Sequence, residues 1–255
     1  MTEARLGTLY LVPAPLDFHC ETQVALDWVL PLHTMEIAAG LSHWVCENAK
    51  SARALLKRID THKPLATALQ AQTIAELPRE VHKKGDHGTT WDAKALLQSA
   101  LQGHDMGLLS EAGMPAVADP GSSLVRAAHD LGLAVVPLVG PCSLVLALAA
   151  SGLNGQSFAF VGYVSQDSAQ RSLQLAALEK LALQSGQTQI LIETPYRNAA
   201  VLAALLSNLK DNTRLAVCSG LTLPQMQIQS LRVADWKRLN PSLEKHTPVV
   251  FAFGP

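Results

Sequence analysis

Short apolar segments alternate with amphipathic helical patterns along this chain, and that alternation restricts the possible folds more than any other feature. Apolar runs bounded by turn residues are typical of buried strands, and apolar residues spaced three and four apart are typical of helices. In the first half, the predicted strands are Leu9 to Val12, Met35 to Ala39, Gly107 to Leu109 and Ala134 to Val139, and the predicted helices are Ala49 to Ile59, Trp91 to Leu101 and Ser122 to Leu131. This order predicts an α/β fold with a largely parallel sheet.

A second series of elements begins at Phe158. The apolar helix predicted from Ser143 to Ala150 ends in the turn residues Ser151 to Gly155, which separate the two series. The second series comprises predicted strands at Phe158 to Tyr163, Thr188 to Glu193, Arg214 to Ser219 and Pro248 to Phe253, with helices at Arg171 to Leu183 and Asn198 to Leu209. We therefore predict two α/β domains, residues 1–153 and residues 154–255.

Composition excludes several classes of protein. The longest apolar stretch, Leu144 to Ala150, is too short to cross a bilayer, and Met1 to Arg5 lacks a basic-then-apolar signal pattern, which predicts a cytoplasmic protein. The four cysteines have no Cys-x-x-Cys spacing, which argues against a zinc site and against a disulfide framework. The formal net charge of −1 gives no general attraction to nucleic acid, so any RNA-binding surface must be local.

The most informative segment runs from Ser110 to Gly121, between a predicted strand and a predicted helix, where open α/β sheets bind ligands. Gly113 lets a ligand approach the backbone, Pro115 and Pro120 stiffen the loop, and Asp119 can accept hydrogen bonds. The alternative is an ordinary connecting loop with an acid that caps the next helix. Residue types alone do not separate these two interpretations.

Two further segments carry polar groups at the ends of strands. Val139 to Ser143 leads into a helix whose free amides can hold a polar group, although Ser143 as a simple N-cap is the interpretation that its residue type favours. Glu193 to Arg197 brings together an acid, a hydroxyl and a guanidinium, and a surface ion pair between Glu193 and Arg197 is the interpretation favoured there. No Gly-x-Gly-x-x-Gly or Gly-x-x-x-x-Gly-Lys-Ser/Thr motif is present, which argues against a dehydrogenase or a nucleotide hydrolase.

Together these segments resemble the ribosomal RNA small-subunit methyltransferase I family, cytidine 2′-O-methyltransferases of the tetrapyrrole-methylase superfamily. Ser110 to Gly121 is similar to the family's Ser-Asp-Ala-Gly-Thr-Pro…Ser-Asp-Pro-Gly signature. Gly140 to Ser143, followed by Ala147 to Gly152, resembles its Gly-Pro-Ser-Ala…Ala-Leu…Ser-Gly stretch, and Glu193 to Arg197 resembles its Glu-Ser/Thr-Pro-x-Arg element. Order and spacing agree from about Leu6 to Phe253.

The resemblance implies two α/β domains with S-adenosylmethionine in a cleft between them, and commonly a homodimer. The methyl group passes to a nucleophilic acceptor, so the protein chiefly aligns donor and acceptor and excludes water. Carried over by position, the cofactor-binding residues are Pro15, Gly113, Met114, Pro115, Ala116, Ser143, Leu144 and Ala252.

The chain departs from the family pattern in three places. Asp17-Phe18 replaces the family's Gly-Asn pair, and Glu47-Asn48-Ala49-Lys50 replaces Glu-Asp-Thr-Arg. The sequence also ends at Pro255, where the family has a small C-terminal extension, so we expect a divergent branch. We expect these departures to touch the acceptor side, which weakens the assignment of the cytidine 2′-hydroxyl.

A hydroxyl acceptor needs a base, and Glu47, Glu111 and Glu193 are the candidates, although each can equally cap a helix or pair with a cation. The candidate contacts to ribosomal RNA or the small ribosomal subunit are Lys50, Arg53, Tyr196 and Arg197. Lys50 and Arg53 belong to a basic segment that also contains Lys57, Arg58 and Lys63, for which a solvated helix face is the favoured interpretation. The alternatives are C-methylation of a tetrapyrrole, or a cofactor-binding module without catalysis.

Overall fold

The computed structural model describes residues 5–17, 20–78, 80–81, 91–239 and 241–255. The chain divides into two units: a first unit of Met1–Phe18 with Val24–Pro141, and a second unit of His19–Gln23 with Cys142–Pro255. Phe18 of the altered Asp17-Phe18 pair lies outside the described residues, as do residues 1–4 of the N-terminus.

The first unit is built on a five-stranded parallel sheet with the order β3-β2-β4-β1-β5. Its elements are β1 (Thr8–Val12), α1 (Leu26–Val29), α2 (Leu32–Gly40), β2 (His43–Cys46), α3 (Ala49–Asp60), β3 (Thr73–Glu76), α4 (Gln98–Leu101), β4 (Met106–Leu109), α5 (Ser122–Asp130) and β5 (Ala134–Pro137), with short 3₁₀ turns at Leu69–Ala71 and Ala93–Leu97. All pairings are parallel, as the alternation of strands and helices predicts.

Helices cover both faces of this sheet, which explains its apolar strands. Successive side chains of a strand point to opposite faces, so Trp44 and Cys46 of β2 join the core beneath α2 and α3. Val45 joins the other core, beneath α5.

The strand order creates a switch point between β1 and β4. The two strands are neighbours, but the chain leaves β1 toward β2 on one side and leaves β4 toward β5 on the other. The connections also cover opposite faces, since α2 packs in one core and α5 in the other. Ligands of open α/β sheets bind outside the carboxyl ends of strands at such a point.

The second unit contains a mixed five-stranded sheet with the order β6-β7-β10-β8-β9. Its elements are α6 (Ser143–Ser151), β6 (Phe158–Phe160), α7 (Ser168–Ser185), β7 (Thr188–Glu193), α8 (Asn198–Asn208), β8 (Arg214–Ser219), β9 (Gln227–Arg232), α9 (Val233–Leu239) and β10 (Val249–Gly254), with a 3₁₀ turn at Pro195–Arg197. Only β6 and β7 pair in parallel, because β10 inserts between β7 and β8 in the opposite direction and β8 and β9 form an antiparallel pair.

One predicted strand is a helix in the structure, and the two units divide at a different point from the predicted domain boundary. The strand predicted at Met35 to Ala39 is wrong, because these residues lie within α2 and bury Thr34, Met35, Ala38 and Ala39 at helical spacing. A short apolar run such as this one has no periodicity that distinguishes a helix from a strand. The predicted domain boundary after Leu153 falls one helix later than the observed division, because α6 packs on the sheet of the second unit.

The structure also bears on the predicted state of the cysteines and on the predicted lack of a membrane-spanning segment. All four cysteines are free thiols, with Cys46 and Cys218 buried. Within the part of the chain that the structure describes, no helix has both the length and the apolar character needed to cross a membrane.

Candidate functional site

The loops that follow β1 and β4 are paired at the switch point of the first unit. Ala14 and Gly113 exchange two backbone hydrogen bonds, from Ala14 N to Gly113 O at 2.9 Å and from Gly113 N to Ala14 O at 3.0 Å. Pro15 follows directly and is buried, and Met114, Pro115 and Ala116 continue the other loop. The structure thus brings the predicted cofactor-binding residues of the first unit to one edge of the sheet.

The loop after β4 holds an unusual backbone conformation. Gly113 has φ = +75°, and two residues with side chains, Ala116 and Ala118, have φ = 63° and 65°. Residues other than glycine in this left-handed region each cost about 1–3 kcal/mol and cluster at ligand sites. Two such residues within three positions support a functional loop over an ordinary connection.

Two glycines at this edge permit close approach of neighbouring chain segments. A Cβ on Gly113 would lie 3.3 Å from Leu16 Cδ2 and 3.7 Å from Pro141 O. A Cβ on Gly140, in the segment after β5, would lie 2.2 Å from Pro13 Cγ, which no side chain tolerates. The segments after β1, β4 and β5 therefore pack against one another at the same edge.

Ser110 is an unsatisfied polar residue at the start of the loop. Its side chain is 4% exposed, and its hydroxyl has no hydrogen-bond partner among the described residues. A buried hydroxyl without a partner costs about 1–3 kcal/mol and requires an explanation. A polar ligand bound at this edge is one such explanation.

Three carboxylates lie within electrostatic range of one another beside this loop. Burial, followed by the negative charges of Glu47 and Glu111, raises the pKa of Asp119 to about 7. Glu47 follows β2, and Glu111 and Asp119 lie in the loop after β4. Neighbouring acids that raise a pKa toward neutrality are typical of functional sites. We call Glu47, Glu111 and Asp119 the acid cluster.

Helix α3 contacts this loop through its first turn. Ser51 Oγ donates to Glu111 Oε1 at 3.2 Å, and Asn48 caps the helix by accepting from the amides of Lys50 and Ser51. Glu76 accepts from the amide of Ala49. The first amides of α3 are therefore satisfied by the protein. The altered Asn48 keeps a capping role, as aspartate would.

The basic segment divides into two groups. Arg58 pairs with Asp17 at 3.0 Å and Lys63 pairs with Glu36 at 2.9 Å. Lys50, Arg53 and Lys57 lie on one exposed face of α3, at a spacing of three and then four residues, and form no ion pair within the described residues. These three side chains are called the basic stripe below.

The remaining predicted cofactor residues lie in the second unit. Ser143 and Leu144 are the first residues of α6, and no side chain caps this helix. The N-cap position belongs to Cys142, so the interpretation of Ser143 as the cap is wrong. Ala252 is fully buried in β10, between β7 and β8, and its contact with a cofactor stays a prediction.

Glu193 and Arg197 form an ion pair with a 3.1 Å separation between Glu193 Oε2 and Arg197 Nη1. The carboxylate is buried, since the Glu193 side chain is 1% exposed and Thr194 also donates to it from its amide and its hydroxyl, whereas the Arg197 side chain is 17% exposed. Tyr196, between them, is 76% exposed. The engagement of Glu193 makes it the weakest of the three base candidates.

Neither the titration of Asp119 nor the burial of the Ser110 hydroxyl was predicted from the sequence. Both lie in the segment from Ser110 to Gly121 that the sequence indicates as a candidate ligand loop, and that assignment stays a prediction. Glu111 lies in the same loop as Asp119, but Glu47 comes from a distant part of the chain, so neither the burial of Asp119 nor its proximity to Glu47 leaves a local sequence signal.

Comparisons with known proteins show the family. The pattern of the family described as Tetrapyrrole (Corrin/Porphyrin) Methylases matches residues 44–235. The chain is 34% identical to "Ribosomal RNA small subunit methyltransferase I" of Vibrio cholerae serotype O1, over 89% of this chain and 69% of the relative. It is 33% identical to the protein of that name from Escherichia coli O157:H7, over 97% of this chain and 78% of the relative. It is 36% identical to the protein of that name from Synechocystis, over 85% of this chain and 68% of the relative.

Two solved structures share the fold. A uroporphyrin-III-C-methyltransferase from Thermus thermophilus gives a TM-score of 0.52 at 20% identity, with 97% of this chain and 94% of that chain covered. The methyltransferase CobJ gives a TM-score of 0.58 at 14% identity with the same coverage. The family pattern spans most of the chain, and several relatives exceed 30% identity over more than two thirds of their length. The chain therefore belongs to the tetrapyrrole methylase family and is an S-adenosylmethionine-dependent methyltransferase.

Proposed function

We propose that this enzyme methylates RNA of the small ribosomal subunit, at a ribose 2′-hydroxyl. The observation that carries the proposal is the similarity to relatives named ribosomal RNA small subunit methyltransferase I, which reaches 97% of the chain. Structural neighbours named for tetrapyrrole substrates are below 25% identity and bear on the fold alone. A tetrapyrrole acceptor is therefore an outcome for the experiment to test.

In the proposed donor site, Pro15 and the residues from Gly113 to Ala116 bind S-adenosylmethionine, which supplies an activated methyl group on a sulfonium. Three observations support this: the Ala14–Gly113 pairing, the buried Ser110 hydroxyl and the left-handed Ala116. Nearby carboxylates also favour a positively charged ligand. Ser143, Leu144 and Ala252 remain candidates by resemblance.

The acid cluster is the proposed source of the base. Removing the proton of an acceptor hydroxyl requires a carboxylate of suitable pKa within hydrogen-bond reach. Asp119, with its pKa of about 7, is half ionised near neutral pH and suits this role better than Glu193, which is held by Arg197. Glu47 and Glu111 stay candidates, and their charges also keep the pKa of Asp119 high.

The proposed contacts to RNA lie on the basic stripe. Lys50, Arg53 and Lys57 present three exposed cations, and Lys50 stands one residue before Ser51, which contacts Glu111. Cations next to an acceptor site bind phosphates and orient the strand without reading its sequence. Tyr196 is exposed enough to stack on a base, whereas Arg197 is already paired.

The test begins with binding of S-adenosylmethionine measured by calorimetry. Gly113→Trp places a large side chain against Leu16 and should weaken binding by about tenfold or more. Gly132→Trp is the matched control, because Gly132 has a similar φ of +70° but no atom within 4 Å of its Cβ position, so it carries the same backbone strain without filling the site. Equal loss in both variants would contradict the donor site.

The acceptor is then tested with radiolabelled cofactor. Unmodified small ribosomal subunits should incorporate label on ribose, and incorporation should fall with Asp119→Asn and with charge reversal of the basic stripe. Label transferred to a tetrapyrrole and not to RNA would overturn the proposal and favour C-methylation. The cytoplasmic location and the homodimer belong to the same proposal and stay predictions.

A further inference from the structure

Asp17 is a buried carboxylate at the position where this chain departs from the family's Gly-Asn pair. It is 5% exposed and forms a two-pronged contact with Arg58, from Nη1 to Oδ1 at 3.1 Å and from Nη2 to Oδ2 at 3.0 Å. A guanidinium fork on a carboxylate fixes the orientation of both groups as well as their separation.

Both members of the pair also form hydrogen bonds with the backbone of Val24. Arg58 Nη2 donates to Val24 O at 2.6 Å, and the amide of Val24 donates to Asp17 Oδ2 at 2.9 Å. Asp17 and Val24 are therefore joined to each other and to the last turn of α3. The loop after β1 has a defined end at Asp17, two residues beyond Pro15.

One face of α3 contacts both loops of the proposed donor site. Ser51 and Arg58 are seven residues apart, which is two helical turns and about 10 Å along the axis, so their side chains leave the helix on the same side. Ser51 contacts Glu111 in the loop after β4, and Arg58 contacts Asp17 in the loop after β1. Between these contacts, Ala14 pairs with Gly113.

A buried ion pair is weak evidence for stability. The cost of removing two charges from water often equals or exceeds their attraction, and apolar replacements of both partners are often neutral or stabilising. Unlike an apolar contact, the Asp17–Arg58 pair fixes an orientation. The segment that it orients is the part of the loop after β1 that carries Pro15 and Leu16.

We propose that Asp17 and Arg58 are positioning residues for the methyl donor, which hold Pro15 and Leu16 against Gly113. This inference rests on the proposed donor site at these two loops. It gives the departure at Asp17 a role: the loop after β1 is fixed to α3 by an ion pair.

The experiment compares cofactor affinity with thermal stability in matched variants. Arg58→Ala leaves a buried carboxylate without its partner, so both the melting temperature and the affinity should fall. The double variant Asp17→Ala/Arg58→Ala removes both charges and should regain most of the melting temperature, but its affinity should stay about tenfold below wild type. Arg58→Lys keeps the charge and loses the fork, and should bind several-fold more weakly while staying folded.

Lys63→Ala is the control, because it breaks another ion pair of the first unit, with Glu36, whose side chains are 33% and 46% exposed. It should change neither quantity. Recovery of wild-type affinity along with stability in the double variant would overturn the positioning role, since the pair would then be structural only. Failure of the wild type itself to bind S-adenosylmethionine would overturn the donor site and the positioning role together, so the two failures are distinguishable.

Discussion

Asp119 makes the stability of the fold depend on pH. Its pKa rises from 3.8 to about 7 in the folded protein, so folding favours the protonated acid. Between pH 4 and 7 the unfolded chain has released this proton and the folded chain has not, so stability falls as the pH rises, and above pH 7 the cost is constant. We predict that Asp119→Asn stabilises the protein at pH 8 by roughly 2–4 kcal/mol.

Urea denaturation of the wild type and of Asp119→Asn at pH 5 and pH 8 checks this prediction. The gain should be clearly larger at pH 8. An equal gain in stability at pH 5 and pH 8 would mean that the ionised carboxylate of Asp119 does not destabilise the folded state. A more stable variant with lower activity would place Asp119 among residues that are retained for function at a cost in stability.

His43 also makes the stability of the fold depend on pH, in the range below about pH 6.5. It stacks on His104 with ring centroids 4.7 Å apart, and burial, followed by the charge of His104, lowers the pKa of His43. A histidine with a lowered pKa binds its proton more weakly in the folded state, so stability is lost as the pH falls below about 6.5. Because Asp119 acts in the opposite direction over this range, the melting temperature of His43→Gln should rise more, or fall less, than that of the wild type from pH 7 to 5, whereas His62→Gln, at an exposed position, should leave the slope unchanged.

Helix α3 contacts both loops of the proposed donor site, and its first turn depends on Asn48. The Asn48 side chain accepts from two amides, at 2.9 and 3.4 Å. We predict that Asn48→Ala costs about 1 kcal/mol in free energy of unfolding, whereas Asn48→Asp is close to neutral because aspartate is an equally good cap. Urea denaturation measures both. A loss with aspartate equal to that with alanine would show that the amide group, and not the cap, matters at this position.

At the scale of the whole molecule, each unit has its own core, so damage to one core should remain local. Leu56 is fully buried in the first unit and Leu205 in the second. Replacing either with alanine should cost about 2–5 kcal/mol. Hydrogen exchange with mass spectrometry should show faster exchange in β1 and β2 for Leu56→Ala, and in β7 and β10 for Leu205→Ala. An equal increase in both units for either variant would show that they unfold as one.

Local pattern determined much of this architecture. The predicted strands at Thr188 to Glu193 and Arg214 to Ser219 have the observed bounds, and α3 was predicted to within one residue. The loop after β4 was located through its glycines, prolines and acids, because turn residues mark a loop regardless of what packs around it. Periodicity and turn chemistry lie within a few neighbouring residues, which is why the sequence alone determined them.

Only the tertiary structure decided how distant segments meet. It placed β10 antiparallel between β7 and β8, made Met35 to Ala39 part of a helix, and joined Asp17 to Arg58 across 41 positions of the chain. It also brought Glu47 near Asp119, which raises the pKa of that acid. Strand direction, burial and charge proximity depend on residues far apart in sequence, and no local pattern carries that information. The sequence by itself therefore determined the family and the loop, and the tertiary structure decided the chemistry of the side chains around that loop.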